Sequence, residues 1–260
     1  MAETKTMQLF VEKDSIVREI WGKGDTVLFI FAGASGEFAL NKAVDWLYFT
    51  GKLPADPLGR LFSTVRYARL IVFASMDEAN ASIDSLRKIH GAVEQNRGFS
   101  IPDWAYRDVL FMLIHYSIAA YELLERKLSD EEKEEVYNVF YRVGTRMGLK
   151  ELPPTYLEWL PVRESHLVAD LQQSKYTSDL FRQYRKHLGP IRFKILIDAQ
   201  KLVIPQHVKK LLHFNSFSLL SIAIPVYKIS RVLKMDGLLK NALLPSEYKT
   251  QIKELDLHQQ

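Results

Sequence analysis

"TVLFIFAGASGEFALNKAVDWLYFTG", residues 26–51, is the stretch on which the fold class turns. An apolar run followed by small residues is how a buried strand enters a phosphate-binding loop, which would make the chain an α/β nucleotide binder. The individual residues oppose that reading. Gly33 and Gly36 stand without further glycines, Glu37 occupies the place where such a loop has Lys, and no alternation of strand and helix patterns follows. The same letters also suit a helix in which Gly33, Ala34 and Gly36 let a flat ligand or another helix come close to the backbone. The helix is preferred, and with it an all-α class.

Downstream the pattern stays helical. Prolines in "LPADP" (53–57) mark a loop, and Asp56 followed by Pro57 is a helix-start signal for the stretch that ends near Ser75. Helices are then predicted over 76–96, 103–128 and 129–149, the last opening on a capping box of Ser129 and Glu132. The run "EEKEE" in its first turns complements the helix dipole and is not read as a metal site. After "LPP" (152–154), further helices are expected at about 155–173, 177–188, 190–202 and 205–213. In "HFNSFSLLSIAIPVYKISRVLK" (213–234), Pro225 kinks or ends whichever helix it joins.

Composition bounds the function. With 260 residues, 47% of them apolar, the chain can bury one large core, so a single helical domain over 1–260 is expected. It has no cysteine, which excludes disulfides, thiolate-ligated haem, iron–sulfur clusters and cysteine zinc sites. The N-terminus, "MAETKTMQLFVEKDS", lacks the basic-then-apolar pattern of a signal peptide, so a cytoplasmic location is expected. Charge is uneven: from Arg182 onward there are 14 Lys and Arg against 5 Asp and Glu. A solvated basic face is the common reason for such a bias. Peripheral contact of this C-terminal part with an anionic membrane surface is the alternative, while nucleic acid is not expected, because the basic residues match no recognition motif.

Two histidines stand on faces that should be apolar. Ala79, Ile83, Leu86, His90 and Val93 recur at three- and four-residue steps, so His90 sits in a core-facing stripe with Arg87 and Glu94 beside it. Phe111, Met112, His115, Ile118 and Ala119 form a second such face, with Asp108 and Glu122 each two turns away. Two core-facing histidines on successive helices could face one site. Neither belongs to a His-Glu-x-x-His or Glu-x-x-His motif, so zincin and di-iron spacings are missing, and "GASGEF" does not supply the serine turn of a hydrolase. Apolar helices bearing one or two imidazoles do suit haem, whose iron takes one ring nitrogen while basic side chains pair with the propionates. Helical spacing alone leaves His90 either hydrogen-bonded to a carbonyl or ligating iron.

The order of the pieces carries more. "ADPLGRLFST" (55–64), "FASMDEANASIDSLRKIHGAVEQNRG" (73–98) and "LFMLIHYSIAAYELLERKLSDEEKEEVYNVFYRVGTRMGLKELPPTYLEWL" (110–160) together resemble the MpaB-type oxygenase family, which includes the catalytic domain of rubber oxygenase (latex-clearing protein). The resemblance spans roughly residues 14–165, leaving a basic helical part at about 177–260. It implies a globin-like helical core around haem b and an oxygenase acting with O2 on an apolar small molecule of isoprenoid type. His90 falls on the iron-ligating His of the family's Arg-x-x-His-Ala motif and Arg87 on its Arg. Arg60 and Thr64 match the family's Arg-x-x-x-Thr pair beside the cofactor, and His115 matches a pocket-lining His. Two positions depart from the family. Glu94 stands where the motif often has Arg, and Val44, with Asp45 next to it, stands where the rubber oxygenases have a glutamate base. The competing expectation is a catalytically idle member of the same fold that binds a lipid or a partner, with no metal on His90.

Overall fold

Helices α1 (Ile16–Gly22) and α2 (Gly24–Phe38) open the computed structural model, and α2 carries the apolar run at the start of residues 26–51. It is buried on nearly every side, from Thr26 and Val27 through Phe31 to Glu37. A helix covered all round has no clean amphipathic period, which is why its sequence imitates a buried strand. After a 3-10 turn (Lys42–Val44) come α3 (Asp45–Phe49), α4 (Pro57–Val72), α5 (Met76–Arg97), α6 (Asp103–Leu124) and α7 (Asp130–Met147). They are followed by α8 (Tyr156–Asp170), α9 (Lys175–Val203), α10 (Gln206–Leu211) and α11 (Leu220–Val232). The structure describes residues 8–51, 55–215 and 217–232, without the side chains of residues 58, 60, 61 and 229–232. The basic C-terminal part is thus described only to residue 232. Among the described residues the β pairings are isolated bridges, Leu9 with Ser75 and Asn41 with Leu171, so the fold is all-α.

Local chemistry sets the helix ends. Asp56 caps α4, its side chain accepting from the Gly59 amide at 2.8 Å with Pro57 in the first turn. Ser129 and Glu132 form the expected capping box of α7, and Ser75 with Glu78 forms a second one at the start of α5. Gly98 and Gly148 end α5 and α7 at φ 77° and 87°, a left-handed backbone that glycine adopts without a Cβ clash. The two helices expected over 177–188 and 190–202 are the halves of α9, broken at Gly189 (φ 73°, ψ 169°) just before Pro190. Pro225 lies inside α11.

The centre of the molecule is α2 packed most extensively on α6, and next on α9. Gly33 makes this approach possible. A Cβ there would lie 2.2 Å from Tyr116 Cδ1 and 2.9 Å from Val203 Cγ2. Neighbouring helices, not a ligand, therefore come close to the small residues of α2. The main core runs from Phe10 and Val11 through α1, α2 and α4–α9 to Val208. A smaller one joins Val44 to Leu180 and Tyr184 of α9. Helix α5 sits outside this centre, against α4 on one side and α7 on the other, and its only buried residues are Ala79 and Ile83. No helix among the described residues is long and apolar enough to cross a membrane.

Candidate functional site

The inward stripe of α5 is covered at one end and open at the other. Ala79 and Ile83 are fully buried, whereas Leu86, His90 and Val93, one to three turns further on, are only half-buried. His90 lies at the centre of the open part. Its ring packs on Tyr106, at the start of α6, with centroids 5.2 Å apart and planes tilted by 53°. The Tyr106 hydroxyl donates to Glu94 Oε1 at 3.3 Å, and the same oxygen accepts from the Ile101 amide at 2.8 Å. Glu94 therefore closes the turn between α5 and α6. Burial, and then the neighbouring Glu94 charge, push the Tyr106 phenol above its ordinary range, so it stays protonated as a donor.

The other residues singled out from the sequence divide among different places. Thr64 is half-buried on α4, the helix that packs along α5, while the side chain of Arg60 lies outside the described residues. Arg87 is exposed and reaches the left-handed Gly148 that ends α7, where a cation complements the helix dipole. Val44 is buried in the smaller core. Asp45 pairs with Arg97 at 2.7 Å, and that guanidinium lies over the Trp46 ring at 3.9 Å. The nearest acid to the family's glutamate position is thus already engaged by a cation.

His115 is not brought to His90. It lies nine residues beyond Tyr106 on α6, about two and a half turns, which places it on the opposite side of that helix. Its imidazole donates to the Val203 carbonyl, and Nε2 is buried without a hydrogen-bond partner. Desolvation, with the Arg163 charge adding to it, lowers its pKa to about 4, so it is neutral at pH 7. With Ile118 and Ala119 of α6 and Trp159, Leu160 and Arg163 of α8 it lines a cavity of about 390 Å³.

Glu37, the residue that spoke against a phosphate loop, is part of a buried polar group. Its Oε2 accepts from the Tyr116 hydroxyl at 2.7 Å and from Arg163 Nη2. Glu37 and Arg163 are 0% and 3% exposed, which makes this a fully desolvated ion pair linking α2 to α8. Nothing in local sequence spacing joins residues 126 positions apart, and only the tertiary packing of α2, α6 and α8 reveals them as partners.

Among the described residues, one group of His, Asp and Glu side chains converges closely enough to ligate an ion: Asp108, His166 and Asp170. The sequence patterns had marked Asp108 only as a neighbour of His115. The four-residue step from His166 to Asp170, which puts both on one face of α8, is the single local signal of this group.

A family model described as ER-bound oxygenase mpaB/B'/Rubber oxygenase, catalytic domain, matches residues 20–229. No curated protein and no solved structure matches the chain.

Proposed function

Because this chain belongs to the mpaB/rubber oxygenase catalytic-domain family, we propose that it is a haem b-dependent oxygenase with His90 as the iron ligand. Its substrates would be O2 and an apolar small molecule, with isoprenoid chains the class to try first. The observation that carries the reading is the change along α5. Upstream residues of its inward stripe are sealed, whereas Leu86, His90 and Val93 keep accessible surface around a central imidazole. Apolar side chains flanking a half-open histidine fit a flat, largely apolar prosthetic group.

Haem bound here would supply the activation of dioxygen. The chain's own residues supply the rest. His90 would offer the ligating nitrogen, and Tyr106, held by Glu94, packs on its ring at a tilt and limits its orientation. Thr64 offers a hydroxyl from α4, and Arg60 shares its helix face one turn away. Arg87, exposed on the same helix, would offer a cation to a propionate. His115, across α6, is left out of this site. For the C-terminal part we carry the reading of peripheral membrane contact, which exposed Phe217, Leu219, Ile222 and Val226 support.

The absorbance spectrum of protein expressed with added haem precursor tests the proposal. A Soret band that disappears in His90→Ala and persists in His166→Ala is the expected result. A colourless, fully folded wild type would sink the haem reading and leave the idle, metal-free member of the family. In that case His90 serves packing and hydrogen bonding, and His90→Ala changes stability alone, by about 1–3 kcal/mol. Extraction of small molecules that copurify with the protein narrows the substrate class.

A further inference from the structure

We infer that Asp108, His166 and Asp170, at the seam between α6 and α8, bind a divalent first-row transition-metal ion. The site does not depend on the haem reading and shares no residue with it. His166 Nδ1 lies 2.7 Å from Asp108 Oδ1 and 3.1 Å from Asp170 Oδ2, and the three donor atoms fall within 4.8 Å of one another. An ion with bonds of about 2.1 Å needs neighbouring donors roughly 3.0 Å apart in octahedral geometry and 3.4 Å in tetrahedral geometry. The two separations made by His166 already lie within a few tenths of an ångström of the octahedral value.

Charge points the same way. Two carboxylates face one imidazole, and among the described residues neither has a lysine or arginine ion-pair partner. The cations that act on the pair from a distance, Lys42 and Arg107 on Asp170 and Arg163 on Asp108, make their short contacts elsewhere: Arg107 with Glu151 at 2.6 Å and the Lys150 carbonyl at 3.1 Å, Lys42 with the Ala169 carbonyl, Arg163 with Glu37. A single Nδ1 proton can satisfy only one of the two acids well, and Asp108 is 2% exposed, where an uncompensated charge is costly. A divalent ion at Nδ1 in place of that proton serves both carboxylates.

The surroundings are those of a supported ligand set. The Asn41 amide donates to Asp108 Oδ2 at 2.6 Å, leaving Oδ1 for the ion, and the Phe111 ring meets the His166 ring nearly edge-on at 5.1 Å. Asn41 is itself held to the end of α8, because the Gln172 amide donates to the Leu40 carbonyl at 2.8 Å. The His166 and Asp170 side chains keep 13% and 17% exposure, so an ion can enter and water can complete its shell. One imidazole nitrogen and two carboxylate oxygens suit Zn2+, Mn2+ or Fe2+ better than Ca2+ or Mg2+, which prefer all-oxygen sets.

The test uses the full chain, stripped with EDTA and exchanged into chelator-free buffer. Zn2+ is titrated by calorimetry and Mn2+ by loss of the free-ion paramagnetic resonance signal. Wild type should bind one equivalent that is weakened at least about 100-fold in Asp170→Asn and in His166→Ala. Glu164→Gln, an exposed change on the same helix outside the cluster, should leave that equivalent in place. Circular dichroism confirms that each variant is folded, and Asp170→Asn, nearly isosteric and partly exposed, serves if His166→Ala is not. Wild type that takes up no ion, or Asp170→Asn that binds as tightly as wild type, would overturn the inference. The Soret experiment responds to His90 and this titration to His166 and Asp170, so each reading can fail without the other.

Discussion

Replacing Gly33 by alanine adds one methyl group where α2, α6 and α9 meet. The new carbon would lie 2.2 and 2.3 Å from Cδ1 and Cε1 of Tyr116 and 2.9 Å from Val203 Cγ2, against an ordinary carbon–carbon contact of roughly 3.5–4.0 Å. The Tyr116 ring must therefore move by more than about 1 Å. It has little room to do so, being fully buried, bonded to Glu37 at 2.7 Å and packed against His115 at 5.0 Å. Overpacking of this kind costs about 1–3 kcal/mol, and a ring that lets go of Glu37 adds a comparable loss for the stranded carboxylate oxygen. Alanine's better helix propensity returns about 0.5–1 kcal/mol, leaving a net destabilisation near 2 kcal/mol. In a chain of this size that is a fall in Tm of roughly 4–8 °C. Gly91 supplies the control, since it is exposed on α5 with nothing within 4 Å of its added Cβ. Gly91→Ala should gain about 0.5–1 kcal/mol from propensity alone. Urea unfolding followed by circular dichroism reads both. If Gly33→Ala unfolds at or above the wild-type midpoint, the close approach of α6 to α2 is wrong.

Two further outcomes test the buried polar groups. Arg163→Met should destabilise the protein by about 3–5 kcal/mol, because it leaves the Glu37 carboxylate buried beside Tyr116 alone, and adding Glu37→Gln should restore part of the loss. Strictly additive single and double variants in urea unfolding would show that the two side chains are not coupled. His115 predicts a pH dependence: its folded-state pKa of about 4 lies below the ordinary histidine value of 6.5, so the unfolded chain binds the proton more readily. Its stabilising effect is complete above about pH 6.5 and is lost as pH falls toward 4, amounting to about 2 kcal/mol between pH 7 and pH 5. His115→Gln should remove that increment from the difference between unfolding free energies at the two pH values. An unchanged difference would place the ring in solvent.

Much of the architecture was legible because it is written at short range. Asp56 before Pro57 and Ser129 three residues before Glu132 each act within one turn, and each marks a helix start where the structure has one. The capping box of Ser75 and Glu78 is equally local. The stripe from Ala79 to Val93 gave the correct inward face of α5. Periodicity cannot say how well that face is covered, and burial thins from Ile83 onward because α4 and α7 seal only part of the helix. The two histidines were paired in expectation because both lie on apolar stripes of successive helices. A stripe records which side of its own helix is apolar, and α6 is apolar on more than one side. Tyr106 and His115 can therefore both be covered while facing opposite ways.

By itself, the sequence determined the all-α class, most helix ends, the absence of cysteine chemistry and, through ordered motifs, the oxygenase family matched over residues 20–229. Tertiary structure alone decided which polar groups meet. Glu37 reaches Arg163 and Tyr116, His115 turns to Val203, and Asp108 shares His166 with Asp170. The physical reason is range. Caps and helical periods are fixed by neighbours a turn or two away, whereas the partner of a buried charge is set by how whole helices cross, and Asp108 and His166 are 58 residues apart.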